Sequence, residues 1–597
     1  MNLPFESDEV APGDVLRTRA RTAFLAAAYG DALGWPNETR GKSSAKMIRE
    51  KPSLNLAAWK RRDGTLYSSH VENVPAGTYS DDTQLIACVA RSYLVAGDAW
   101  WERFTTVELP FWLLYQRGGG GATLRAAKSW SDKRQPWAAA EKYFDAGGNG
   151  AAMRVLPHVV IHVRSQAFRS LKNSVVLDAL STHGHPRAVV GALIFAFSLW
   201  SLMRRTRSLG FGQIIDDAIS NETTWAEFPF RDTRLSESIA SRGWIIPTNY
   251  ESRWSETVSE VRNLLSIARD AIAEGAAFND RPTLARLGAL GETRGSGTVS
   301  ACAALFLASR YATDPSQGVI EATFAAGADT DTLGSMTSTL LACLGEGEQL
   351  AYRAKGVQDH DFLLSLGTAL SEADHNRVLT EEAGIVTSAS AKRWQKSLMS
   401  QKPGECIQLL DGRSGVVSSL DCRHEHNLLI AEALVTVEDG QTLRFKKIER
   451  VSEKKQPTIF EESISGKPAQ AKLENARVDF GSYAFAPEIV LRCRDLDVTV
   501  SFYCHLLGLR LYEDKRPRQN HVRVEGPFTF ALANSSAEIK AQFAVELRLR
   551  VRGIENLALL LKSKNIEMET ASKDLGFGTA VIVRDPDGRS VVLISAR

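Results

Sequence analysis

Cysteine is sparse and poorly placed for structural chemistry: Cys88, Cys302, Cys343, Cys406, Cys422, Cys493 and Cys504 are scattered over 597 residues. They are odd in number and never form a Cys-x-x-Cys pair, which speaks against a disulfide framework and a zinc ribbon and fits a reducing, cytoplasmic setting. An excess of charge is also missing. With 72 Lys and Arg against 70 Asp and Glu, the formal net charge is +2, far from the basic balance of proteins that live on phosphate backbones, so the balance neither points to a nucleic-acid partner nor excludes one. No uncharged stretch of about 20 residues is apolar throughout, and the start MNLPFESDEVAPGD has no basic segment followed by an apolar run. The expectation is a soluble, unexported chain with no membrane partner; its length predicts two to four domains.

What is present falls into zones. From about Leu16 to Lys396 the chain predicts helices joined by Gly-rich loops, among them FLAAAYGDALG, DDTQLIACVARSYLVAG, PRAVVGALIFAFSLWSLM, GSGTVSACAALFLASRY and LGSMTSTLLACLGE. Their closely spaced small residues are those of helices whose axes approach closely in a large all-α domain. A more polar stretch at about 206–291, with one amphipathic helix SRWSETVSEVRNLLSIARDAIAEG, reads as an insertion. At 402–452, ECIQLL, SGVVSSL and LLIAEALVTV with the pairs Asp411-Gly412 and Asp439-Gly440 predict a small antiparallel β module. Residues 453–485 read as a linker. From 486 to 597 the order strand, helix, three strands occurs twice, predicting an α+β domain of duplicated βαβββ units.

The chemistry concentrates in acidic clusters where loops meet helices: Gly30-Asp31-Ala32-Leu33-Gly34, Ser80-Asp81-Asp82-Thr83 and Asp329-Thr330-Asp331-Thr332. Adjacent carboxylates repel unless a cation neutralises them. Asp81, Asp82, Asp329 and Asp331 with the hydroxyls of Ser80 and Thr332 are hard oxygen donors, suited to two Mg²⁺ or Mn²⁺ ions rather than to zinc. Helix capping by Ser80 or Asp81 is the competing reading, and one residue can serve both roles.

The series GDALGWPNE, TYSDDT, GNGAAMR, THGHPRA and GADTDTLGSM, in this order, resembles the ADP-ribosylglycohydrolase family over roughly residues 20–350. The resemblance implies a large all-α domain over 16–396 that cleaves the bond between ADP-ribose and a target. It implies a binuclear Mg²⁺ or Mn²⁺ centre on Ser80, Asp81, Asp82, Asp329, Asp331 and Thr332, with Ser80 standing where the family usually has Thr. Glu38 matches a glutamate over the substrate pocket and, with Asp82 and Asp329, is the catalytic expectation; a solvated surface carboxylate is the alternative for Glu38. The substrate is expected against Asp31, Gly118, Gly119, Gly120, Gly121, Gly148, Asn149, Gly150 and His183. For His183 a buried structural histidine is nearly as good a reading.

RDLDVTVSFYCHLLGL and DPDGRSVVLI in the C-terminal repeat resemble the glyoxalase, bleomycin-resistance and dioxygenase (vicinal oxygen chelate) family. Its metal positions would fall at Glu488, Glu546, Phe530 and Val592; two of these cannot coordinate, so a metal-free binding or docking module is expected. His424 and His426 in the β module read as a solvated loop. The expected partner is an ADP-ribosylated protein, nucleic acid or small conjugate. A catalytically inactive ADP-ribose binder and a hydrolase of small ADP-ribose conjugates are the alternatives.

Overall fold

In the computed structural model the chain divides into two compact units, residues 1–454 and 455–597. The structure describes residues 10–38, 52–64, 70–207, 209–275, 279–373, 384–425 and 428–450 of the first, and of the second the strands named below with Thr499 and Tyr503.

The first unit is built around α1 (Gly13–Glu38), whose Ala-rich middle is buried on every face. A helix without a polar face must be surrounded. Against it lie α2 (Asp81–Ala96), α7 (Thr330–Leu341) and α8 (His360–Glu372), while α3 (Gly121–Ser131) packs against the helical turns at 104–112. A second layer holds α4 (Pro186–Arg204), α5 (Tyr250–Ala273) and α6 (Gly297–Arg310). The α1–α7 crossing depends on missing side chains. A Cβ on Gly30 would stand 2.1 Å from the Gly334 carbonyl oxygen, and one on Gly34 only 2.0 Å from that of Thr330. Without these glycines the two helices could not meet backbone to backbone.

Helix α4 is long and apolar enough to cross a membrane by length and composition, but 94% of it is buried inside the fold. Its composition is that of a core helix. The stretch 206–291 folds into short helices around α5 and buries Trp225, Trp244, Tyr250 and Trp254 in the same apolar core as the rest of the unit.

Two sheets complete this unit. A hairpin of β1 (Trp59–Asp63) and β2 (His70–Val74) follows α1. The β module is an antiparallel meander, β3 (Cys406–Gln408), β4 (Ser414–Glu425), β5 (Leu428–Val437) and β6 (Thr442–Arg450), turning at Gly412 and Gly440, both with positive φ as the two Asp-Gly pairs suggested. It shares a charged interior with the helices. Buried Glu108 is paired with Arg91 at 2.8 Å and Arg103 at 3.1 Å. Arg103 also donates to the Asp411 carbonyl at 2.5 Å, and Arg91 to Gln441 at 3.1 Å. Phe445 packs between Trp394 and Tyr115.

In the second unit, β8 (Ile489–Cys493), β10 (Phe528–Leu532) and β9 (His521–Arg523) form one sheet. The other has the order β12 (Met568–Thr570), β13 (Ala580–Arg584), β14 (Ser590–Ser595), β11 (Leu547–Arg552) and β7 (Arg477–Val478). The first and last strands of each repeat, β8 with β10 and β11 with β14, run parallel, as two copies of one βαβββ unit require. Phe530 and Val592 pair in register with Leu491 and Arg548. Glu488, Glu546, His426 and nearly all of the expected linker 453–485 lie outside the described residues.

Candidate active site

The α1–α7 crossing brings two helix N-termini together. Ser80 precedes α2, and its hydroxyl accepts from the Asp82 N–H at 3.3 Å, so it does cap the helix. Asp329 precedes α7 but makes no capping bond; its Oδ2 accepts instead from Asn149 Nδ2 at 2.7 Å. Capping therefore accounts for Ser80 and leaves Asp329 unexplained. The two clusters touch where Thr332 Oγ1 donates to Asp82 Oδ2 at 3.3 Å.

A cavity of about 290 Å³ opens at this junction. It is lined by Glu38, Asp81, Asp82, Asp329, Asp331 and Thr332 together with Gly118, Gly120, Gly121, Gly148, Asn149, Gly150 and His183. Three expected residues are not on its wall. Asp31 is fully buried behind it: Oδ1 accepts from the Ser80 N–H at 2.8 Å, and Oδ2 from the Thr83 N–H and hydroxyl at 3.0 and 2.6 Å. Both its oxygens are committed to the first turn of α2, which makes it a positioning residue. Ser80 is likewise enclosed, and Gly119 turns its Cβ direction onto Trp112.

The electrostatics of the carboxylates follow from burial and crowding. Asp81 is pushed up to about 8, first by burial, then by the charge of Asp31, with Asp329 and Glu38 adding to it. Asp82 and Asp331 are raised well above the usual range, each chiefly by burial and then by neighbouring carboxylates. Such a cluster is neutralised either by protons or by cations. Asp82 Oδ1 is moreover buried without a hydrogen-bond partner. Among the described residues no group of three or more His, Cys, Asp and Glu side chains is arranged to hold an ion unaided. The donors that do line the cavity are carboxylates and the Thr332 hydroxyl, hard oxygens of the kind Mg²⁺ and Mn²⁺ take. The donor set and the orphaned oxygen fit a hard divalent cation.

The glycine loops and His183 are held by contacts that sequence reasoning did not find. The Asn149 N–H donates to the Gly295 carbonyl at 2.9 Å, stitching the loop at 147–150 to the start of α6. Gln84 Oε1 accepts from the Arg117 N–H at 3.1 Å and from Trp112 Nε1 at 3.0 Å, fixing the approach to the glycine loop. His183 is buried and lines the cavity, so its structural and pocket readings coincide. Its Nδ1 lies 2.7 Å from Thr182 Oγ1, which accepts from Arg154 at 2.8 Å; Arg154 in turn is paired with Asp178 at 3.0 Å. Burial, and then the Arg154 cation, push His183 down to about 3, leaving its ring neutral at pH 7. No sequence signal marks the long-range partners Asp178 and Gln84; Arg154, in GNGAAMR, was within a recognised motif.

The family model for ADP-ribosylglycohydrolase matches residues 12–379. The chain belongs to the ADP-ribosylglycohydrolase family. Membership supports hydrolase activity of the ADP-ribosylglycohydrolase type. Among solved structures, one described as an ADP-ribosylglycohydrolase-related protein complex is 20% identical, covering 60% of this chain and 98% of its own, with a TM-score of 0.35. A member of the glyoxalase/bleomycin resistance protein/dioxygenase superfamily from Sphaerobacter thermophilus is 18% identical, covering 19% of this chain and 98% of its own, with a TM-score of 0.16. An antibiotic binding protein from Streptomyces is 16% identical, covering 19% and 100%, with a TM-score of 0.16. No curated protein matches the sequence.

Proposed function

We propose that the helical body is a metal-dependent hydrolase that cleaves the glycosidic bond between ADP-ribose and a modified target, releasing ADP-ribose. The observation that carries this reading is the junction of α2 and α7, where acidic side chains from two helix starts line one cavity with an unpartnered Asp82 oxygen among them. Asp81, Asp82, Asp329 and Asp331, with the hydroxyls of Ser80 and Thr332, would hold two Mg²⁺ or Mn²⁺ ions. Bound there, the ions supply Lewis acidity and acidify a coordinated water.

The chain's own groups do the rest. Glu38, whose charge acts on both Asp81 and Asp331, takes the proton from the attacking water. Positive charge building on the ribose as the leaving group departs is stabilised by Glu38, the lining carboxylate not assigned to an ion, which favours that state over the neutral substrate. Gly118, Gly120, Gly121, Gly148 and Gly150 let backbone N–H groups approach the diphosphate, and neutral His183 stands beside them. The target is an ADP-ribosylated protein, nucleic acid or small conjugate, and the second unit acts as a binding or docking module for it. The buried free thiols of Cys88, Cys302 and Cys343 suit a cytoplasmic enzyme.

The test is release of free ADP-ribose from ADP-ribosylated arginine, serine and nucleic-acid substrates with Mg²⁺ or Mn²⁺ and then with chelator. Metal-dependent release from any of them is the expected result. ADP-ribose binding with no release from any would replace the hydrolase by a reader protein.

A further inference from the structure

The cavity has a charge problem. Its described lining residues include five carboxylates and no lysine or arginine, and His183 stays neutral, yet the proposed substrate carries a diphosphate. The four aspartates take up the charge of the two proposed ions, so a side-chain cation for the diphosphate has to reach the cavity from behind its lining. The glycine loop shows where: a Cβ at Gly118 would stand 3.4 Å from Trp35 Nε1, 3.5 Å from Asp81 Oδ1 and 3.8 Å from Arg61 Nη2. Gly118 has φ +85°, so the chain adopts there a conformation that leaves this corner open.

Arg61 belongs to the β1–β2 hairpin, outside every motif of the family resemblance. Its guanidinium lies over the Trp35 ring, 5.1 Å from the centroid, and Trp35 meets Trp59 edge-on at 5.3 Å. Its ion pairs with Asp63 and Glu72 are 3.3 and 3.6 Å long, looser than the 2.7–2.9 Å of a good charge-assisted bond. Its five N–H donors are therefore not exhausted by these partners. Asp63 and Glu72 are themselves neutralised from the β module: Lys446 Nζ on β6 lies 2.8 Å from Asp63 and 3.0 Å from Glu72. Further ties run from Glu425 to the Val71 N–H at 2.9 Å and from Gln358, which bridges the Thr442 carbonyl and Arg117, next to Gly118, at 3.0 Å each.

We infer that Arg61 pairs with the diphosphate of ADP-ribose at the Gly118 corner, and that the β module is a positioning element of the active site that holds the Arg61 hairpin through Lys446. Without Lys446, Asp63 and Glu72 would draw the guanidinium to themselves. This gives the four-stranded sheet a role in binding that its own sequence, in which no catalytic constellation stands out, does not reveal. The inference rests on the proposed reading of the cavity as an ADP-ribose site.

The test uses the full chain with Mg²⁺ or Mn²⁺ and ADP-ribose as probe, in titration calorimetry and in turnover, for wild type, R61Q, K446M and K446R, with thermal melting as the folding control. R61Q should weaken ADP-ribose binding about 10- to 100-fold, the loss expected for one charged hydrogen-bonded contact. K446M should raise KM several-fold with a smaller change in kcat, and K446R should restore it. R61Q binding within twofold of a wild type that binds ADP-ribose overturns the inference alone. K446R failing to rescue K446M overturns the positioning role. A wild type that does not bind ADP-ribose overturns the cavity reading, and this inference falls with it.

Discussion

Replacing Gly34 by alanine should damage turnover far more than stability. A Cβ there stands 2.0 Å from the Thr330 carbonyl oxygen and 2.9 Å from the Asp331 Cα, whereas carbon and oxygen in close contact keep about 3.3 Å. Helices α1 and α7 must part by about 1 Å. Overpacking of this kind costs about 1–3 kcal/mol, offset by up to about 1 kcal/mol because alanine favours the helix. At about 2 cal/mol/K of unfolding entropy per residue, a unit of this size loses only about 1 °C of Tm per kcal/mol, so melting should fall by a few degrees at most. Asp331 rides on the displaced turn, and a 1 Å misplacement at a reacting centre costs about 10²-fold in rate. Gly367→Ala is the control: its Cβ would meet the Ala20 carbonyl at 3.0 Å on the α8 side of α1, away from the cavity lining. It should lower Tm and leave ADP-ribose release near normal. Calorimetry and release assays on both variants decide the matter; a Gly34→Ala enzyme within twofold of wild-type turnover would refute the claim that this crossing sets the site.

Asp82→Asn should abolish release, yet in chelator it should melt at or above the wild-type temperature, because it removes one of the crowded carboxylates; the Tm rise that Mg²⁺ gives the wild type should vanish. Glu108→Ala leaves Arg91 and Arg103 buried without their counter-charge and should cost about 3–5 kcal/mol, read as a fall in the urea midpoint. For His183 the folded state refuses a proton that the unfolded chain accepts, so its contribution to stability is intact above about pH 6.5 and is lost as pH falls toward about 3. His183→Gln should flatten that part of the pH–Tm curve, and an unchanged slope would show that other groups account for it.

The legible parts of this protein were those with a local signature. Ala- and Gly-rich runs announced close helix crossings, and Gly30 and Gly34 lie at one. Asp-Gly pairs announced the turns at Gly412 and Gly440. The acidic clusters stood out because like charges side by side need a reason, and Asp81, Asp82, Asp329 and Asp331 do line one cavity. What stayed hidden depended on direction and on distance along the chain. Asp31 and Asp81 look alike in sequence, but helix phase turns Asp31 into the first turn of α2 and Asp81 into the cavity. Gly119 and Gly120 are adjacent, yet only one faces the pocket. The hairpin carrying Arg61 matters through Lys446, 385 positions later, and no periodicity encodes such a pairing.

Helix α4 has a consequence outside function. It is as apolar as a lipid-spanning segment and remains harmless only while α5 and α6 cover it. Heating that undocks those neighbours exposes a sticky surface on a chain whose other parts are still folded, and collisions between such chains then compete with refolding. Thermal inactivation is therefore expected to be irreversible and to depend on protein concentration and scan rate, so the durability of this enzyme is a rate rather than an equilibrium constant.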